Sequence, residues 1–239
     1  MDTIRTVSDT KRDFYSYHNR PINSIYRQVV EELLVEMHLL SVNVDFRKDS
    51  IYSLGVVSAF DRFLQGYKPL SDKDSIFNAL CQSVGSKPEN YRQDAQSITS
   101  IPDNWTMDGF IEWLQEPSGG DETQSLKETI NQIRNNSYFK YSRLFAIGLY
   151  TLIDKIDSEV VKDNDKRNKI LDQISEILGF SKDKIQKDLD IYRSNLEKME
   201  QVLLLIQEGI QSDRKKREQR QSQNSNNSEE SSSEESQEE

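Results

Sequence analysis

Apolar residues recur at intervals of three and four along most of the chain. Ile22, Ile25, Tyr26, Val29, Val30, Leu33, Leu34, Met37 and Leu40 make one broad stripe, with Arg27, Gln28, Glu31, Glu32 and Glu36 mostly opposite. That is the period of a helix burying one face. Pro21 suits its first turn, where a missing N–H costs nothing. Asp49 or Ser50 caps a second predicted helix carrying Ile51, Leu54, Val57, Phe60, Phe63 and Leu64, and Gly66 stops it. Ser71 or Asp72 starts a third, through Ile76, Phe77, Leu80, Cys81 and Val84 to Gly85. A shorter one opens at Ser86–Lys87–Pro88 and runs to about Ile98, before the break at Pro102. Trp105 to Leu114 predicts another short piece, with Phe110, Trp113 and Leu114 in the core.

The stretch Glu116 to Glu122 (EPSGGDE) is the clearest internal loop. Beyond it Leu126, Ile130 and Ile133 resume the helical pattern. The run Leu144 to Ile153 (LFAIGLYTLI) is apolar all round. It is too short for a bilayer span, which needs roughly 18–20 residues, and predicts a buried helix. Lys162 to Arg167 is charged and predicts a turn or helix start; Ile170, Ile174, Ile177 and Leu178 follow, and Gly179 closes that helix.

The last helix has a different rhythm. From Ser181, a predicted N-cap, Ile185, Leu189, Tyr192, Leu196, Met199, Leu203, Ile206 and Ile210 alternate spacings of four and three. A strict heptad gives a narrow seam of the coiled-coil type, the expected partner-binding surface. A basic cluster follows: Arg214, Lys215, Lys216, Arg217 and Arg220, a candidate for contact with an anionic membrane surface. The last eighteen residues, from Ser222, hold no apolar side chain to offset the entropy of ordering, so disorder is expected there. The chain thus divides into a helical domain over 1–180, a long C-terminal helix over 181–221 and an acidic tail over 222–239. The fold class is all-α: a multi-helix bundle with a coiled-coil-like terminal helix.

Composition narrows the functions. Nine glycines and five prolines in 239 residues argue against an all-β fold built on many tight turns. The net charge is −10; subtracting the six glutamates of the last eighteen residues leaves −4. Such a balance disfavours general nucleic-acid binding, which needs a basic surface. A single cysteine, Cys81, excludes an intramolecular disulfide and a Cys-x-x-Cys zinc site, and fits a reducing compartment. The N-terminal MDTIRTVSDTKRDF has neither a hydrophobic signal core nor the acid-poor Ser/Arg stretch of a transit peptide, so neither secretion nor import is expected.

The chain contains no phosphate-cradling GxxxxGK[ST] run, no GxGxxG and no GxSxG. His38 lies near Glu31, Glu32 and Glu36, but a helical di-metal site pairs His with Glu three residues earlier, and position 35 is Val. A structural histidine is the default reading for His38, and a helix C-terminal cation for His18. Cys81, beside Phe77 and Leu80, reads as a small buried hydrophobe. Phe14, Tyr15, Tyr17 and Tyr26 read as core before partner surface. No catalytic residue, cofactor or metal is expected.

Longer strings carry a resemblance. TVSDTKRDF, RPINSIYRQVVEELLVEMHLLSVNVDF, IYSLGVVSAFDRFLQGYKP and DKDSIFNALCQSVG, in this order, resemble the thylakoid formation family, described also as photosystem II biogenesis factors, of cyanobacteria and plastids. The likeness is strong over about Thr6 to Val84, looser through the middle, and present again in the terminal heptads. Ser50 departs from it, standing where proline is expected in an RxDPIY-like turn; this touches only a loop. The resemblance implies an all-helical, non-enzymatic accessory factor, peripherally associated with thylakoids on the cyanobacterial cytoplasmic or plastid stromal side. It implies protein partners: photosystem II assembly components and an FtsH-type membrane protease. The alternative is a helical pigment- or small-molecule-binding protein of the photosynthetic membrane, with an apolar pocket near His38 or Tyr26.

Overall fold

A capping box opens the first helix. Thr6 Oγ1 accepts from the Asp9 amide at 3.2 Å, while the Asp9 carboxylate accepts from the Thr6 amide at 3.1 Å. Two orphan donors are thereby satisfied reciprocally, and α1 runs Val7–Tyr17. The computed structural model describes residues 5–102 and 104–234, the side chains of 213 and 217–234 excepted. After α1 come α2 (Ser24–Ser41), α3 (Ser50–Phe63), α4 (Leu70–Ser83), α5 (Pro88–Thr99) and α6 (Met107–Gln115). A 3₁₀ turn at Asp121–Thr123 leads into α7 (Gln124–Asn135), α8 (Arg143–Ile156), α9 (Ser158–Lys162), α10 (Asn164–Leu178) and α11 (Lys182–Glu234). The all-α expectation holds, and among the described residues there is no strand.

The chain forms two units, Met1–Arg193 and Ser194–Glu239. In the first, α3 and α8 are central: α3 packs most extensively on α8 and then on α5, and α1 lies on α4 and α2. Both central helices bury side chains around nearly their whole circumference, including Ile51, Leu54, Val56 and Phe60 on α3 and Leu144, Phe145, Leu149 and Ile153 on α8. Each such side chain contributes roughly 1.5–3 kcal/mol by leaving water. The run expected to be a buried helix is therefore α8. Polar bonds set the order of the packing. Glu36 of α2 accepts from Arg143 Nη2 at 2.7 Å and from the Leu144 amide at 3.2 Å, so it caps α8 from outside its own sequence neighbourhood. Arg62 of α3 meets Asp154 of α8 at 2.7 Å.

Some boundaries differ from the sequence reading and others match it. Pro21 precedes the helix rather than starting it; Asn23 Oδ1 accepts from the Ile25 amide and caps α2 at Ser24. The charged stretch at 162–167 spans the end of α9 and the start of α10, with Asp163 as cap for the latter. Gly179 closes α10 at φ +77°, a left-handed conformation costly for other residues. The unstructured tail expected from Ser222 is not seen as far as Glu234. The helix continues to Glu234, and no Gly or Pro interrupts the chain after Gly209. Residues 235–239 lie outside the described residues.

Candidate interaction surface

The eight seam positions do not share one environment. Ile185 and Leu189 are fully buried and Tyr192 is 2% exposed. These three belong to the core of the first unit. Tyr192 meets the Phe63 and Tyr150 rings edge-on, at 5.6 and 6.2 Å between centroids. The same stretch of α11 is tied down by polar contacts. Tyr141 Oη donates to Asp188 at 2.9 Å, and Lys184 sits over the Tyr141 ring at 4.8 Å. Burial, with Asp188 adding to it, raises the Tyr141 hydroxyl far above the ordinary tyrosine range.

In the second unit, Leu196, Met199 and Leu203 are half-buried and Ile206 and Ile210 are exposed. Val202, Leu204 and Leu205, which the heptad reading left off the seam, are exposed as well; Leu205 reaches 66%. The legible signal was the unbroken run Val202–Ile206 (VLLLI), since five successive apolar residues point in every direction around a helix. Arg214, Lys215 and Lys216 are exposed. The side chains of Arg217 and Arg220 lie outside the described residues.

The remaining candidates fall in the first unit. His38 is buried on α2, and its Nδ1 and Thr10 Oγ1 of α1 are 2.8 Å apart. His18 is buried at the end of α1, with Nδ1 2.9 Å from Ser75 Oγ of α4. Both imidazoles thus clasp α1 to its neighbours. Burial holds both below the ordinary histidine range, Arg5 adding to this at His38 and Arg20 at His18. The Cys81 thiol is pushed up to about 12 by burial, the opposite of a reactive thiolate. Of the aromatic group, Phe14 and Tyr26 are core, while Tyr15 and Tyr17 are 40% and 53% exposed. Tyr26 packs edge-on against Tyr67 at 4.9 Å and donates to the Gln65 carbonyl at 3.3 Å. Among the described residues no group of three or more His, Cys, Asp or Glu converges as a metal site, and no helix is long and apolar enough to cross a membrane.

Trp113, expected in the core, is half-exposed. It shares with Trp105 and the following loop a notch of about 350 Å³, lined also by Pro102, Asp121 and Glu122. The two indoles are 5.2 Å apart at 49°.

A helical body and a long C-terminal helix rich in exposed aliphatic residues define an all-helical protein with an exposed apolar helix surface. The chain belongs to the thylakoid formation protein family, whose profile matches residues 6–221. The match ends where the Ser/Glu-rich stretch begins. Among its relatives, Protein Thf1 of Crocosphaera subtropica is 58% identical over 217 residues, 91% of this chain and 88% of that protein. Protein Thf1 of Gloeothece citriformis is 53% identical, covering 91% of this chain and 96% of the relative. The solved structure of Psb29 superposes with a TM-score of 0.77 at 41% identity, covering 89% of this chain and 98% of that one.

Proposed function

We propose that this chain is an accessory factor of thylakoid biogenesis and photosystem II assembly and repair that works by presenting helix surfaces to other proteins, without transforming a substrate. Family membership supports the thylakoid role. The observation that carries the mechanism is the exposed apolar stretch of α11, from Val202 through Leu204, Leu205 and Ile206 to Ile210, continuous with the half-buried Leu196, Met199 and Leu203. Contiguous apolar surface held in water is costly and marks an interaction site. The partner we infer is an FtsH-type thylakoid protease or a photosystem II assembly component. Replacing Leu196 and Leu203 by Asp puts charge into that contact and abolishes it. A pull-down from thylakoid extract tests this: the double variant is expected to lose the protease, and equal recovery by the variant overturns the role of the seam.

Peripheral membrane contact through Arg214, Lys215, Lys216, Arg217 and Arg220 is a second reading, supported by the exposure of the first three. Each cation near an anionic leaflet contributes roughly 1 kcal/mol. Flotation with anionic liposomes should then weaken with salt and with neutralisation of the five residues; binding unchanged by neutralisation contradicts it.

A further inference from the structure

The tryptophan notch lies in the first unit, and its chemistry is distinct from that of the α11 surface. Trp113 Nε1 donates to the Ser118 carbonyl at 2.5 Å, which draws the 117–120 loop back along the indole. Gly119 makes the bend at φ +128°, where a Cβ would come within 2.7 Å of Thr123 Oγ1. The loop is thus held beside two half-exposed indole rings. Indole faces are the strongest aromatic partners for cations. Asp121 and Glu122, both exposed, add two carboxylates to the wall.

The sequence through the notch is acidic, with Arg134 of α7 reaching the Leu114 and Gln115 carbonyls at the end of α6 and Asp94 already paired with Lys48. From Gln93 to Leu126 the sequence has seven Asp or Glu and no Lys or Arg. Several acids elsewhere in this unit are answered within the chain: Asp61 meets Lys73 and Arg92, Asp154 meets Arg62, and Glu36 meets Arg143. Asp108, Glu112, Glu116, Asp121 and Glu122 are exposed and enter no ion pair among the described residues. An aromatic notch rimmed by unanswered carboxylates repels anions and attracts cations, and the field reaches beyond the contact itself. The spread of acids along α6 and the loop suits several cations on one chain.

We propose that this notch docks a basic, extended segment of a partner protein, with a Lys or Arg side chain inserted against Trp105 and Trp113 and its neighbours facing the acidic rim. This surface is independent of the α11 contact, and the two stand or fall separately.

Trp105 and Trp113 are the only tryptophans in the chain, so emission excited beyond the absorption of its ten tyrosines reports on the notch. The probe is a soluble peptide of alternating arginine and glycine, titrated into the full-length protein at low ionic strength. The expected result is a saturable change in emission that weakens steeply as salt rises toward 0.3 M. D121N/E122Q should lower the affinity about five-fold or more. W105F, which keeps a ring but weakens the cation contact, should also bind less tightly while Trp113 still reports. A glutamate–glycine peptide should give no change. The proposal is overturned by the absence of saturable response, by an equal response to the acidic peptide, or by an affinity indifferent to D121N/E122Q. Emission that shifts with protein concentration before peptide is added would mean that a second copy fills the notch, and would also overturn it.

Discussion

Gly55 and Gly148 face one another where α3 crosses α8. A Cβ on Gly148 would sit 1.9 Å from the Ile51 carbonyl oxygen, and one on Gly55 would sit 1.7 Å from the Leu144 carbonyl oxygen. Both obstacles are backbone, so no rotamer change relieves them. The two central helices therefore touch main chain to main chain. Gly148→Ala should destabilise the protein by at least about 2 kcal/mol, even though alanine favours helix locally. Gly209→Ala supplies the opposite sign: nothing lies within 4 Å of the Cβ position there, and stability should rise by about 0.5–1 kcal/mol. Urea unfolding of both variants measures this. A Gly148→Ala protein as stable as wild type would mean that the helices do not meet at that distance.

The division of the heptad gives a second prediction. Leu189 is fully buried, whereas Ile210 is 66% exposed. Leu189→Ala should cost about 2–5 kcal/mol through lost transfer energy and a cavity. Ile210→Ala should change stability by less than about 0.5 kcal/mol. Thermal melting of the two variants separates core positions from surface ones. Equal losses would contradict the split.

How far the sequence disclosed this arrangement can be traced residue by residue. The 3.6-residue period of Ile25 to Leu40 and the unbroken apolar run of α8 were legible because burial on one face, or on all faces, leaves a direct imprint on composition. α1 leaves little apolar pattern, because only Thr10 and Phe14 are buried; the Thr6–Asp9 capping box marks its start and the reading of His18 as a helix C-terminal cation marks its end. The glycine crossing was hidden because a glycine's role depends on what approaches it, which no local pattern states. The heptad concealed its own division for the converse reason: Leu189 and Leu203 look alike in sequence and differ only in what surrounds them. Trp113 was misplaced in the core because large aromatics are usually buried, and its half-exposure depends on a loop folding back at Gly119.

The two histidines predict a pH dependence. His18 faces Ser75, Asp72 and Arg20; His38 faces Thr10, Arg5 and Asp9. Burial depresses both below 6.5, with Asp72 and Asp9 opposing in part. Well above pH 6.5 both are neutral in the folded and unfolded chain, and the clasp is intact. As pH falls below 6.5 the unfolded chain takes up protons that the folded one resists, so stability falls. Asp49, raised to about 6 by burial, acts in the opposite sense, because its folded form gains a proton first. The histidine effect is therefore the difference in slope between wild type and His18→Asn/His38→Asn. Melting temperatures between pH 7.5 and 5 should fall more steeply for wild type; parallel slopes would show that the imidazoles are not held neutral.

In the proposed function the second unit carries the partner contact while the first folds around its own core. Cutting after Arg193 respects this division, because Ile185, Leu189 and Tyr192 stay with the body. The direct measurement is quantitative affinity purification from host thylakoids with the full chain and with residues 1–193. The helical content and melting of the shorter protein are checked alongside. We expect the shorter protein to melt cooperatively near the wild-type temperature and to recover less than about a tenth of the protease and assembly proteins that the full chain retains. A folded 1–193 protein that recovers the same partners in the same amounts would contradict the claim that α11 presents the binding surface.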